Sequence, residues 1–105
     1  MTASDSTSTT DPLITAFLDE LRKIRNYSPN TVSAYRRDLA QFDDVRGAVP
    51  LTQVDSHLVR HFAARLHAAG KAPKTVARAL SSVRTLFEYL RERRLITTNP
   101  AVGIR

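Results

Sequence analysis

Apolar residues recur at intervals of three and four along most of the chain, in four stretches separated by proline, glycine and polar residues. This spacing places apolar side chains on one face of a helix. Asp11 followed by Pro12 predicts the start of the first helix, because Asp accepts a hydrogen bond at the N-cap and proline fits the first helical position. We predict a helix from Pro12 to about Arg25, with Asn26 as a left-handed stop. Its core face contains Leu13, Ile14, Phe17, Leu18, Leu21 and Ile24.

The same start signal returns at Ser28-Pro29, and a second helix is predicted from there to about Arg46. Gly47 and Pro50 then mark a loop. The core face of this helix contains Val32, Tyr35, Leu39 and Phe42.

A third helix is predicted between an N-cap at Asp55 and a stop at Gly70. A fourth begins at Pro73, where Ala72 offers no side-chain cap, and runs to about Arg93. The core faces contain Leu58, Phe62, Ala63 and Leu66 in the third helix, and Val76, Leu80, Val83, Phe87 and Leu90 in the fourth.

A shift of 44 residues aligns Asp11 with Asp55 and Val32 with Val76. The pattern therefore predicts two related helical hairpins with crossed apolar faces that share one core. No stretch has the alternation of a strand, so we predict an all-α, four-helix bundle over residues 11–96. Residues 1–10 are Ser/Thr-rich and predict a disordered tail. Residues 97–105 predict an extended connector, because Pro100 disfavours helical geometry at the residue before it.

The charge is large and uneven. The chain of 105 residues has a net charge of +6, with 6 Lys and Arg against 8 Asp and Glu in residues 1–55 and 10 against 2 in residues 56–105. Such a basic chain typically meets a polyanion. The chain has no cysteine, so disulfides and Cys-ligated zinc are excluded.

Other classes of site find little support in the sequence. His57 and His61 have the spacing of a zinc helix, but Leu58 replaces the general-base Glu and no third ligand follows. We therefore expect no metal site. The sequence also has no glycine-rich phosphate loop, so we expect no nucleotide cofactor. No stretch is long and apolar enough for a membrane span, and the N-terminus lacks the pattern of a signal peptide. We therefore expect a soluble, cytoplasmic protein with no membrane partner.

Cationic and hydroxyl side chains lie opposite the apolar faces of the second and fourth helices. They suit DNA, since Lys and Arg neutralise phosphates, hydroxyls contact the backbone, and Asn or Arg can contact base edges. A solvated surface is the alternative, favoured more for the second helix, where Asp38 lies close. We expect Lys74→Ala or Arg78→Ala to weaken DNA binding without unfolding the domain. The candidate DNA-binding residues are Asn30, Thr31, Ser33, Arg36, Arg37, Lys71, Lys74, Thr75, Arg78, Ser81, Ser82 and Thr85.

Three segments resemble the amino-terminal core-binding domain of Xer-type tyrosine recombinases, relatives of the phage integrases, and the XerC branch is the most similar. Residues 27–39 (YSPNTVSAYRRDL) resemble the family's second helix, residues 79–84 (ALSSVR) with Phe87 its fourth, and Asn99-Pro100-Ala101 its linker. Ala72 departs from the Ser or Thr that usually precedes Pro73.

This resemblance implies a SAM-like bundle with its second and fourth helices against the major groove of double-stranded DNA. It also implies a clamp completed by a separate catalytic domain, a tetramer with a second related recombinase, and resolution of chromosome dimers. The family's catalytic residues belong to that other domain, so we expect no enzymatic activity from this chain alone. Tyr27, Tyr35 and Tyr89 are expected to pack against the core.

Two alternatives stay open at this point. A small helix-turn-helix regulator needs a dimerisation element, which the sequence does not show. A helical protein-interaction module would make the basic face incidental. DNA binding through several phosphates weakens steeply with salt, whereas binding in an apolar groove does not.

Overall fold

Four α-helices occupy most of residues 11–104, which is the part of the chain that this computed structural model describes. They are α1 (Pro12–Lys23), α2 (Pro29–Arg46), α3 (Ser56–Ala68) and α4 (Pro73–Glu92), with a short 3-10 helix (Leu51–Gln53) between α2 and α3. Residues 11–104 contain no strand, and the all-α prediction is confirmed. The predicted tail at residues 1–10 lies outside the described residues.

Side-chain caps begin three of the four helices, as the sequence predicts. An oxygen of Asp11, Ser28 or Asp55 accepts a hydrogen bond of 2.9 to 3.1 Å from a backbone N–H in the first turn of α1, α2 or α3. Ala72 has no such oxygen, so α4 begins with Pro73 alone. Capping satisfies N–H groups that have no partner inside the helix.

The helix ends use left-handed residues. Asn26 and Gly70, both predicted stops, have φ of 57° and 78°. After Gly70, the backbone N–H of Lys71 donates to the carbonyl of Leu66 at 3.1 Å, which closes a Schellman motif. Arg94 takes the same conformation after α4, with φ of 63°.

One phenylalanine from each helix lies in the centre of the core. Phe17, Phe42, Phe62 and Phe87 are each at most 1% exposed, and the ring of Phe42 meets those of Phe62 and Phe87 edge-on at 5.3 and 6.0 Å. α1 pairs with α2 and α3 pairs with α4, while α2 and α4 form the most extensive contact between the hairpins. The surface that α2 and α4 share is therefore central to the fold.

Two residues predicted on core faces, Ile24 and Leu58, are not buried. Ile24 is 73% exposed, because α1 already ends at Lys23 and Ile24 is its C-cap residue. Leu58 is only half-buried, and Val59 takes the core position in the first turn of α3.

The segment predicted to be extended after residue 96 instead folds back as a turn. The side chain of Asn99 accepts a hydrogen bond from the backbone N–H of Ala101 at 2.9 Å and donates to the carbonyl of Arg84 at 3.0 Å. Ala101 and Ile104 are buried as part of the core. The prediction of an extended connector from Pro100 was therefore wrong, because burial of these two apolar side chains turns the chain back onto the core. Among the helices of residues 11–104, none is long and apolar enough to span a bilayer.

Candidate nucleic-acid interface

The predicted DNA-binding residues fall into three groups by exposure. Asn30, Ser33, Arg36, Arg37, Lys71, Lys74 and Arg78 are exposed, Thr31, Thr75, Ser81 and Thr85 are half-buried, and Ser82 is fully buried. Except for Lys71, which lies just before α4, all of them belong to α2 or α4. We call Arg36, Arg37, Lys71, Lys74 and Arg78 together the basic face.

Four cations of the basic face have no acidic partner. Arg36, Arg37, Lys71 and Lys74 make no ion pair with any described residue, whereas Arg25, Arg46, Arg91 and Arg93 each pair with a carboxylate. Unpaired cations keep their charge available for phosphates. Outside the basic face, Lys23 in α1 and Arg60 in α3 are also exposed and unpaired among the described residues, so they provide matched comparisons.

A polar junction joins α2 to α4 beside the basic face. The carboxylate of Asp38 is 2% exposed and accepts hydrogen bonds from Nε and Nη2 of Arg78 at 3.1 and 3.0 Å. The hydroxyl of Ser82 donates to the same carboxylate at 2.9 Å. We call Asp38, Arg78 and Ser82 the junction. It places Arg78 of α4 against the turn of α2 that carries Arg37.

The prediction that Ser82 lies on the exposed side of α4 was wrong, because its side chain is fully buried. Ser82 lies about 80° around the helix from Lys74, at about 100° per residue, and this flank faces α2 rather than solvent. Its hydroxyl donates a hydrogen bond to the buried carboxylate of Asp38. Asp38 lies 44 residues before Ser82. Asp38 on α2 and Ser82 on α4 therefore occupy equivalent positions of the repeat and contact each other.

Arg78 is not the free surface cation that the helical pattern predicts. Its side chain is 43% exposed and forms an ion pair with the buried Asp38. The hydrogen bonds that Arg78 donates to that carboxylate, and then the charge of the carboxylate, raise the pKa of Arg78 above its ordinary value. The guanidinium therefore stays charged, with one edge held by the fold and the other toward solvent.

The hydroxyl groups differ in what they can offer a phosphate. The Thr31 hydroxyl accepts a hydrogen bond from Ser28 at 2.9 Å, so its own hydrogen stays available. The Thr85 hydroxyl instead donates to the Ser81 carbonyl at 2.8 Å and has no second hydrogen to give. Thr31 thus suits a phosphate oxygen better than Thr85 does.

The described residues contain no group of three His, Cys, Asp or Glu side chains that could hold a metal ion. His57 and His61 line a surface cleft together with Asp55. The carboxylate of Asp55 already accepts the N-cap hydrogen bond of α3 from Leu58.

Comparison with known proteins places this arrangement in a family context. Residues 14–94 match the family described as phage integrase, N-terminal SAM-like domain. The chain is 42% identical over 102 residues to a tyrosine recombinase XerC of Alcanivorax borkumensis, covering 97% of this chain and 33% of that protein. It is 37% identical over 99 residues to a tyrosine recombinase XerC of Ralstonia pickettii, covering 90% of this chain and 30% of that protein.

The chain thus spans about a third of the length of these relatives. No solved structure matches it.

Proposed function

This chain belongs to the phage integrase N-terminal SAM-like domain family, and from that premise we propose that it is the DNA-binding domain of a XerC-type, site-specific tyrosine recombinase. The observation that carries the proposal is the set of four unpaired cations on α2, on its neighbour α4 and just before α4. Cations without acidic partners are the groups that phosphates attract most strongly, because no internal ion pair must be broken first.

In this proposal, Arg36, Arg37, Lys71 and Lys74 neutralise phosphates on either side of a groove. Asn30 and Ser33 are exposed on α2, two turns and one turn before Arg37. On the same side of the helix as Arg37, they would contact base edges or the sugar–phosphate backbone. The N-terminal turns of α2 and α4 add backbone N–H groups and the positive end of the helix dipole.

We extend the proposal to the whole recombinase. The tyrosine nucleophile and its supporting residues belong to the part of the relatives that this chain does not span. A catalytic domain there would close a clamp around the duplex, and two related recombinases would assemble as a tetramer on a chromosomal site and resolve chromosome dimers. In that arrangement this chain contributes binding and orientation, and no chemical step.

The direct test is a fluorescence-anisotropy titration of the chain against a labelled recombination half-site and a scrambled duplex of equal length, at low and at physiological salt. We expect tighter binding to the half-site, and binding to both duplexes that weakens steeply as salt rises.

Equal, salt-sensitive binding to both duplexes would reduce the proposal to contacts with phosphates alone. No binding at low salt would overturn it and favour a helical protein-interaction module instead.

A further inference from the structure

We propose that Asp38 is a positioning residue of the DNA interface, which holds Arg78 and Ser82 so that α2 and α4 present the basic face in one fixed arrangement. This inference rests on the proposed function. It assigns a role in DNA binding to a buried acidic residue, although a negative charge beside a DNA surface ordinarily weakens binding.

Burying Asp38 opposes folding unless its carboxylate keeps well-placed hydrogen-bond donors. Asp38 and Ser82 are the only polar side chains among the described residues that are fully buried. Removing a carboxylate from water is expensive, and an apolar pair of similar volume would pack two helices at least as stably. Stability alone therefore does not explain a charge at the centre of the α2–α4 contact.

The hydrogen bonds of the junction constrain how α2 and α4 cross. Apolar side chains allow two helices to slide or rotate against each other, whereas the two parallel hydrogen bonds from Arg78 to Asp38 fix distance and angle together. Ser82 adds a third hydrogen bond from the next turn of α4. Three bonds to one carboxylate define the crossing of α2 and α4, and with it the separation of Arg37 and Lys74.

Arg78 uses only one edge of its guanidinium in the junction. Asp38 occupies Nε and Nη2, and Nη1 has no hydrogen-bond partner among the described residues. A guanidinium held on one edge loses little side-chain freedom when its other edge binds a phosphate. Asp38 thereby orders a cation that would otherwise sample many rotamers.

The decisive variant is Asp38→Asn, compared with Asp44→Asn. Both substitutions remove one negative charge from α2, but Asp44 is exposed and lies outside the junction. Electrostatics alone predicts that both variants bind DNA at least as tightly as the parent. Positioning predicts that Asp38→Asn binds the half-site about tenfold more weakly, equivalent to one lost charge-assisted hydrogen bond, while Asp44→Asn does not weaken binding.

A second variant covers the case in which Asp38→Asn fails to fold, as judged by circular dichroism. Arg78→Lys keeps every charge but cannot form the two-bond contact with Asp38. We expect it to weaken half-site binding, whereas Lys23→Arg, which also keeps the charge but lies on α1 outside the basic face, leaves binding unchanged.

A readout without DNA separates positioning from direct contact. The chain has no cysteine, so Gln41→Cys on α2 and Ala77→Cys on α4, both exposed, accept a unique pair of spin labels. We expect the distance distribution between the labels to be broader in the Asp38→Asn or Arg78→Lys background than in the parent.

A parent chain that binds DNA, with both junction variants binding just as tightly, would overturn this inference alone. Unchanged label distances in both variants would also overturn it. A parent chain that binds neither duplex would overturn the proposed function, and this inference with it.

Discussion

At the scale of single residues, the most consequential contact is the one between Asp38 and Arg78. Asp38 is the only fully buried charged side chain among residues 11–104, and Arg78 supplies two of its three hydrogen bonds. Lys74, one turn earlier on α4, has no such partner among the described residues. Two cations of the basic face therefore differ in what the fold requires of them.

We predict that Arg78→Ala lowers the free energy of unfolding by about 1–3 kcal/mol, because Asp38 keeps only its hydrogen bond from Ser82. The value stays moderate because the Arg78 guanidinium is partly exposed and water can enter in its place. Lys74→Ala should change the free energy of unfolding by less than about 0.5 kcal/mol. Urea denaturation followed by circular dichroism measures both.

Equal, small losses in the two variants would show that Asp38 does not depend on Arg78. The sequence alone predicts that neither substitution affects folding. We keep that prediction for Lys74→Ala. For Arg78→Ala we now predict a loss of stability, because Arg78 is a partner of the buried Asp38.

At the scale of helices, the two halves of the 44-residue repeat differ at the starts of α2 and α4. Ser28 accepts a hydrogen bond from the backbone N–H of Thr31 at 3.1 Å. Ala72 stands at the equivalent position before α4 and offers nothing to Thr75. The two residues have nearly the same backbone angles, with φ of −63° for both and ψ of 152° and 149°.

Ala72→Ser should therefore cap α4 without a change in the backbone. We predict a gain of about 1 kcal/mol in the free energy of unfolding, seen as a rise of roughly 4–8 °C in the midpoint of thermal unfolding. Ser28→Ala is the matched control and should lose a similar amount. A midpoint that does not rise in Ala72→Ser would contradict the equivalence of the two helix starts.

The helices show which features a sequence carries locally. Caps at Asp11, Ser28 and Asp55 were predictable, because a cap depends on residues within one turn. The burial of Leu51 and Ile104 was not, because short segments without periodicity are placed only by contacts with distant helices. Ser82 was misassigned for a related reason, since a residue on the flank of a helix meets solvent or a neighbour according to the packing.

At the scale of the whole molecule, the fold sorts the charges that the sequence supplies. Ion pairs gather where α1 meets the end of α4, as between Arg25 and Glu92 or Arg93 and Glu20. Arg37 and Lys74 remain unpaired among the described residues. The sequence shows an excess of positive charge in its second half, but tertiary contacts decide which cations are neutralised. The unpaired cations of the basic face therefore come from both halves of the chain.

The central claim is that α2 and α4 bind DNA through this unpaired charge. The most direct measurement compares Arg37→Ala/Lys74→Ala with Lys23→Ala/Arg60→Ala in anisotropy titrations of the half-site over a series of salt concentrations. Both double variants lose the same charge. We predict that the first has a salt slope, log affinity against log salt, shallower by about 2, close to 0.9 for each lost phosphate contact, while the second keeps the slope of the parent. Equal slopes in the two double variants would contradict the account.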